Sequence, residues 1–152
     1  MKLRTEMTDG EEEVIIRYRE RDEKIASLQR IIENILEQDG DIILTLNGNE
    51  HYIPKKDILF FETDGGRIAA HTRENMFYAS GTLQSIESKL PNSFIRASKS
   101  CIVNAREVCA LSKNFTGLGE ILFKKCSKRT FVSRGYYKEL KQKIYELHDL
   151  EN

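Results

Sequence analysis

Three polar residues, Ser98, Lys99 and Ser100, interrupt an apolar stretch that runs from Phe94 to Asn104. Because apolar residues precede and follow them, the stretch predicts a strand whose polar middle lies on a surface or at a strand end. Two hydroxyl groups beside a cation are suited to binding an anion, phosphate above all. The stretch therefore predicts an anion contact.

A second stretch, from Val132 to Lys138, repeats this chemistry at a predicted helix start. Ser133 is a natural N-cap, but Arg134 follows it, where the helix dipole disfavours a cation by several tenths of a kcal/mol. A phosphate or a guanine edge would compensate, since helix starts bind anions and arginine pairs with guanine in a bidentate way. The alternative is that Arg134 folds back onto a carboxylate such as Glu139.

Catalytic motifs are a poor fit to this sequence. It contains no phosphate-binding Gly-x-x-x-x-Gly-Lys, no Gly-x-Gly-x-x-Gly, no His-Glu-x-x-His and no Gly-x-Ser-x-Gly. Ser98 and Lys99 would point to opposite faces of a strand, which does not suit a nucleophile and its base. Three cysteines and three scattered histidines lack metal-ligand spacing. We expect no enzyme, no metal and no cofactor.

The charge of the chain is unevenly distributed, although 24 basic and 24 acidic residues give a net charge of zero. Residues 1–40 carry seven Lys or Arg against eleven Asp or Glu, and residues 96–143 carry twelve against three. A basic region of this kind attracts polyanions, although it can also be a solvated face. The 152 residues, 39% of them apolar, predict one domain with a small extension. No signal peptide or membrane span is evident, which predicts a cytoplasmic protein.

The first 40 residues are predicted to form two strands and a helix. Residues 2–7 and 12–19 have strand-like patterns on either side of an Asp9-Gly10 turn. A helix should begin at Asp22 as N-cap and end near Asp39-Gly40. Its apolar face is expected to pack on the first strands in preference to a coiled coil, and dimerisation through it remains open.

From residue 41 onward, short alternating segments predict a mainly β (α+β) domain. Hairpins are predicted around Asn47-Gly48-Asn49 and Asp64-Gly65-Gly66, and a short helix is predicted with Thr82 as N-cap. Further strands are predicted over 76–79, 108–114, 120–123 and 130–132, with a terminal helix from Arg134.

The two polar stretches carry a resemblance to a known family. Phe94-Ile-Arg-x-x-Lys-Ser-x-Ile-Val-Asn104, followed by Val132-Ser-Arg-x-Tyr-Tyr-Lys-Glu-Leu-Lys141, resembles the LytTR family of bacterial DNA-binding domains. The resemblance runs from about Ile42 to Leu147 and includes Ile58-Leu-Phe-Phe-Glu62. It implies about ten short antiparallel strands in small sheets, and DNA reading by loops in successive major grooves. No recognition helix is implied.

The resemblance also implies which residues contact double-stranded DNA. The family's base-reading positions fall on Lys99, Arg134, Asp64, Gly66 and Arg67. Phosphate contacts would be Ser98, Ser100, Ser133, Lys138 and Arg96. Because lysine lacks the fork of arginine, we expect Lys99 to discriminate bases less sharply than an arginine would.

The expected organisation is an extension over 1–40 and a LytTR-like domain over 41–152. The chain resembles compact regulators that lack a receiver domain, which implies a transcriptional regulator acting as a homodimer or as paired copies on repeated half-sites. A membrane-protein regulator is possible by the same resemblance. The rival from another class is a protein–protein module that binds its partner through residues 1–40. RNA binding is a third candidate, but the aromatic residues lack the paired motif of common RNA-binding sheets.

Overall fold

Turn residues with positive φ angles divide the first half of the domain into hairpins. The computed structural model describes residues 1–10, 13–38 and 40–151. Strands β1 (Asp41–Leu46) and β2 (Asn49–Pro54) join through Asn47 and Gly48, with φ of 52° and 79°. Strands β3 (Phe60–Asp64) and β4 (Arg67–His71) join through Gly65 and Gly66, with φ of 56° and 84°. Two-residue turns of this hand match the twist of paired strands, and both predicted hairpins are confirmed.

The other elements also follow the predicted order. Thr82 caps its short helix, accepting a hydrogen bond from the Ser85 N–H at 3.1 Å, as predicted. The elements are α1 (Glu23–Gln38), β5 (Met76–Ala79), α2 (Leu83–Glu87), β6 (Phe94–Ser98), β7 (Cys101–Asn104), β8 (Val108–Lys113), β9 (Gly119–Phe123), β10 (Arg129–Val132) and α3 (Tyr137–Glu151).

The ten strands form two sheets, and every pairing is antiparallel. Seven strands make one sheet in the order β2-β1-β5-β4-β3-β7-β6, and three make the other in the order β10-β9-β8. The mainly β class and the count of ten short strands are confirmed. The resemblance implied small sheets, and one of the two sheets is larger than that, with seven strands.

Each face of the larger sheet covers a separate core, because neighbouring residues of a strand point to opposite faces. Phe60 and Val103 lie in the core shared with β9, β10 and α3. Phe61 and Ile102 lie in the core shared with α2. The first of these cores fixes the smaller sheet and α3 against the end of the larger sheet where β6 and β7 lie.

The prediction of strands before α1 is wrong. Residues 1–10 and 13–22 form no strand, and Val14, Ile15 and Tyr18 are more than half exposed. Residues 11 and 12, which the second predicted strand and the acidic run include, lie outside the described residues, as does Asp39 at the predicted end of α1. Because residues 1–10 and 13–22 form no strand, α1 does not pack on strands of this segment as expected.

The helix predicted over the extension is confirmed, and its cap is the predicted residue. The Ile25 N–H donates to Asp22 Oδ1 at 2.9 Å. Ile25 is buried, whereas Ile35 and Leu36 are each 55% exposed. No helix among the described residues is both long enough and apolar enough to cross a membrane.

The predicted start of the last helix at Arg134 is also wrong. Helix α3 begins at Tyr137, and residues 134–136 form a turn before it. Three residues separate Ser133 from α3, and the Ser133 hydroxyl donates to the Ala97 backbone oxygen at 3.4 Å, so Ser133 does not hold the N-cap position. The helix-dipole argument for a ligand at Arg134 therefore does not apply, because Arg134 lies outside the helix.

Candidate nucleic-acid interface

Two turns lie side by side where β3 ends and β7 begins. Glu62 pairs with Cys101 in the β3–β7 register, which brings the β3–β4 turn beside the β6–β7 turn. The Thr63 N–H donates to the Ser100 backbone oxygen at 3.0 Å and joins the two turns directly. The predicted polar interruption of a strand is thus a two-residue turn, Lys99-Ser100, between two strands.

A β-bulge in β6 joins the larger sheet to the segment before α3. The β6–β7 register shifts between Arg96 and Ser98, which leaves Ala97 out of the pairing. The Ala97 backbone oxygen accepts from the Ser133 N–H at 2.9 Å and from Ser133 Oγ at 3.4 Å. Bulges often redirect a strand beside a functional site. Here the bulge places Ser133 next to the Lys99-Ser100 turn.

Arg134 continues the row to a third turn, between β8 and β9. Its Nη2 donates to the Thr116 backbone oxygen. Its guanidinium lies over Gly117, where a Cβ atom would be 3.0 Å from Nε and 3.3 Å from Cζ. Arg134 therefore folds back onto a backbone carbonyl, and not onto Glu139 as the alternative reading of the sequence had it.

These segments form one continuous surface, which we call the turn face. Its members lie at strand ends, are exposed or half-buried, and belong to segments joined by the hydrogen bonds given above. It consists of residues 64–67, 98–100, 133–134 and 114–118. The segments lie up to about 70 residues apart in the chain, so the face depends on the docking of the two sheets.

Lys99 is exposed, and its turn is held from behind by Arg96. Arg96 Nη1 donates to the Lys99 backbone oxygen at 2.7 Å, and its Nε donates to Glu87 Oε2 at 2.9 Å. Arg96 is 22% exposed, and two of its donors are engaged within the protein. The arrangement fixes the backbone that presents the Lys99 ammonium group.

The flanking serines stabilise the same turn. The Ser100 N–H donates to Ser98 Oγ at 3.2 Å, and the two hydroxyl oxygens are 3.3 Å apart. Hydroxyls in such contacts keep lone pairs and a rotatable hydrogen with which to contact an anion. Ser100 is exposed and Ser98 half-buried, so both predicted phosphate contacts border the surface.

The β3–β4 turn presents its predicted residues at its tip. Asp64 pairs with Arg67 across the turn, and Gly66 is exposed between them. The guanidinium carbon of Arg67 lies 3.8 Å from the centre of the Tyr78 ring. This cation–π contact orients the cation while leaving its side chain exposed.

The cations of the turn face differ from the paired arginines elsewhere. Among the described residues, ion pairs between arginine and glutamate join Arg73 to Glu107, Arg96 to Glu87 and Arg129 to Glu120. Within the described part of the chain, Lys99, Arg134 and Lys138 have no carboxylate within 4.0 Å. All three are exposed. The positive charge that remains uncompensated therefore includes residues on and beside the turn face.

The structure brings most of the predicted site residues together. Lys99, Arg134, Ser133 and the β3–β4 turn lie in the row, and Lys138 lies one helical turn beyond it at the start of α3. The β8–β9 turn contributed no residue to the predicted site. Nothing in the sequence relates it to Arg134, because the contact is made to a backbone carbonyl and a glycine.

Known proteins similar to this chain share this domain. The model of the LytTr DNA-binding domain matches residues 48–145. The sensory transduction protein LytT of Bacillus subtilis is 35% identical over 94 residues, which cover 61% of this chain and 39% of LytT. An uncharacterized HTH-type transcriptional regulator of Staphylococcus aureus is 30% identical over 111 residues, 73% of this chain and 75% of that protein.

The fold is also found among solved structures. A LytTr DNA-binding domain from Bacillus cereus superposes with a TM-score of 0.63 at 20% identity. The match covers 70% of this chain and 97% of that domain. The two sheets and the turns between their strands are thus an arrangement already known for a DNA-binding domain, and this chain belongs to the LytTR family of DNA-binding domains.

Proposed function

We propose that this protein is a transcriptional regulator that binds a specific double-stranded DNA site through the turn face. The observation that carries the proposal is the row of turns with exposed cations that pair with no carboxylate of the described chain, fixed by hydrogen bonds to backbone oxygens. Exposed cations supply affinity for phosphates, and turns narrow enough to enter a major groove supply contacts to base edges. The Staphylococcus aureus relative is named as a transcriptional regulator, which supports the same role.

In this proposal, base reading falls to Lys99, Arg134 and the tip formed by Asp64, Gly66 and Arg67. The turns would enter successive major grooves, since they come from both sheets. A helix-turn-helix is not available within residues 40–151, because five strands separate α2 from α3.

Phosphate contacts are proposed for Ser98, Ser100 and Ser133 on the turn face, and for Lys138 near the start of α3. Arg96 is less suited to that role than the sequence indicated, because Glu87 and the Lys99 carbonyl already accept from it. We propose that Arg96 positions the Lys99 turn.

Salt dependence tests the general proposal. Labelled duplex fragments selected from genomic DNA would be titrated with protein at several salt concentrations. If about six phosphates are neutralised, log affinity should fall against log salt with a slope near −5. A response without salt dependence would reject DNA binding through this basic surface.

A pair of exposed cations separates base reading from phosphate contact. Arg134→Ala should lower affinity for the selected site by roughly 1–3 kcal/mol and relax preference at one base pair. Lys138→Ala should weaken selected and random duplexes alike and reduce the salt slope by about 1. Equal losses on both kinds of duplex for Arg134→Ala would reject its base-reading role.

We propose a separate task for residues 1–40, which carry an acidic balance and end in α1. The exposed Ile35 and Leu36 offer an apolar surface for a second copy of the chain or for another protein. A cytoplasmic protein acting as paired copies on repeated half-sites fits this organisation, and we propose restraint by a membrane protein as its form of control. Light scattering of the full chain and of an Ile35→Glu, Leu36→Glu variant would test self-association. Equal masses for both would reject dimerisation through this surface.

A further inference from the structure

A phenylalanine stands fully exposed at the tip of the β8–β9 turn. Phe115 has its whole side chain open to solvent, the most exposed large apolar residue of the described chain. Leaving an aromatic ring in water forfeits the stabilisation that its burial would give. Scattered apolar residues are common on surfaces, so exposure alone does not indicate a role. Phe115 is distinguished by the hydrogen-bonded turn that carries it and by the contact of that turn with Arg134.

The turn that carries Phe115 is held by its own polar groups. Asn114 Oδ1 accepts from the Thr116 N–H at 3.1 Å, from Thr116 Oγ1 at 2.6 Å and from the Leu118 N–H at 3.0 Å. The Asn114 N–H donates to the Leu118 backbone oxygen at 2.9 Å, and the Gly117 N–H donates to the Asn114 backbone oxygen at 3.1 Å. The backbone is thereby fixed on both sides of Phe115, so little entropy would be lost in presenting the ring to a ligand.

The same turn contacts Arg134, which we propose reads a base. Arg134 Nη2 donates to the oxygen of Thr116, the residue next to Phe115, and the guanidinium lies over Gly117. A ligand that reaches Arg134 must therefore come close to the tip of this turn. An exposed ring on this turn and a cation held against it suit a ligand with both a polar edge and an apolar group.

We infer that Phe115 is a further specificity-determining residue, which packs against the C5-methyl group of a thymine near the base pair that Arg134 reads. The inference rests on the proposed function. In the major groove, thymine presents a methyl group, and contact with an apolar side chain distinguishes it from the other bases. The apolar character of Phe115 matches the methyl, and the adjacent cation matches a guanine edge.

The inference is tested by removing the methyl group and the ring separately. Each thymine of the selected site is replaced in turn by deoxyuridine, which pairs identically but lacks the methyl. For the wild-type protein, one replacement should weaken binding about fourfold, as expected for one buried methyl group. Phe115→Ala should bind the unmodified site roughly tenfold more weakly. In Phe115→Ala, the same deoxyuridine replacement should have no further effect, because the ring and the thymine methyl group are the two partners of one contact.

Two further variants make the outcome specific. Phe115→Leu should retain sensitivity to the same thymine, because leucine is also apolar. Tyr52→Ala removes another exposed aromatic, on the edge strand β2 at the far side of the sheet, and should bind like wild type. Thermal unfolding should be unchanged in Phe115→Ala, since the ring makes no buried contact.

The results also separate this inference from the proposed function. If the wild-type protein binds its site but Phe115→Ala binds equally well, the ring does not contact DNA. If Phe115→Ala binds more weakly but shows the same sensitivity to every replacement as wild type, the ring contacts something other than a thymine methyl. Either result overturns the inference alone. If the wild-type protein binds no duplex at all, the proposed function is rejected.

Discussion

Replacing Gly117 by alanine should uncouple Arg134 from its turn. Gly117 has a φ of +83°, a conformation that costs an L-residue roughly 1–2 kcal/mol. An added Cβ would also lie 3.0 Å from Arg134 Nε and 3.1 Å from Nη2, so the guanidinium must move by a few tenths of an ångström. We expect a loss of roughly 1–2 kcal/mol in the free energy of unfolding, accompanied by weaker discrimination between DNA sites.

Gly48 provides a matched control for the backbone part of this effect. It has a φ of +79°, and a Cβ there would meet no atom within 4 Å. Gly48→Ala should therefore lose a similar roughly 1–2 kcal/mol of stability without disturbing any side chain. Urea unfolding of both variants would measure this shared strain.

The DNA part of the prediction concerns specificity. If Gly117 positions Arg134, Gly117→Ala should lower the ratio of affinities for selected and scrambled duplexes about fivefold. That change corresponds to about 1 kcal/mol, the lower end of the range for a bidentate base contact. Fluorescence anisotropy with both duplexes would give the ratio. If Gly117→Ala and Gly48→Ala discriminate equally well, the packing of the guanidinium on Gly117 does not determine base reading.

Three further predictions concern groups inside the domain. Burial lowers the pKa of His71 below its usual value, against the opposing hydrogen bond to Glu62, so its unfolded state binds more protons below about pH 6.5. The free energy of unfolding should therefore fall as pH decreases from about 6.5, and His71→Gln should flatten this dependence in urea titrations. The same dependence on pH in the wild-type protein and the variant would contradict the prediction. Burial raises the pKa of the Cys101 thiol to about 12, whereas Cys109 is exposed, so iodoacetamide should label Cys109 first and Cys101 only after unfolding; mass mapping that finds Cys101 labelled first in the folded protein would refute this. Gly119→Ala should destabilise the protein by roughly 1–3 kcal/mol, because the added Cβ would overlap Val132 in the paired strand β10. An unchanged unfolding midpoint would contradict this prediction, because it would mean that β9 and β10 move apart to accommodate the methyl group at no cost.

Local sequence signals predicted the hairpins and the short helix. Asn47-Gly48 and Gly65-Gly66 require positive φ angles, and Thr82 has a side chain that can cap, so each signal acts within a few residues. Asp22 likewise marked the start of α1. Such features are readable from sequence because their partners are neighbours in the chain.

Features that depend on distant partners could not be predicted in this way. The alternating residues 13–19 have a strand-like pattern, but a strand also needs the backbone of a neighbour, and none pairs with them. Ser133 has the side chain of an N-cap, yet its N–H donates to Ala97, 36 residues earlier, and α3 begins later. Arg134 was predicted to contact DNA, but its partner within the protein is a backbone carbonyl, which any residue would supply.

The composite origin of the turn face links DNA binding to the stability of the whole domain. Lys99 belongs to the larger sheet, whereas the β8–β9 turn belongs to the smaller one, and a duplex that contacts both would hold the sheets together. A ligand that binds only the docked form stabilises it in proportion to the logarithm of its concentration over its Kd. Saturating DNA should therefore raise the melting temperature and slow hydrogen exchange across the buried boundary between the sheets, including at residues that the DNA does not contact.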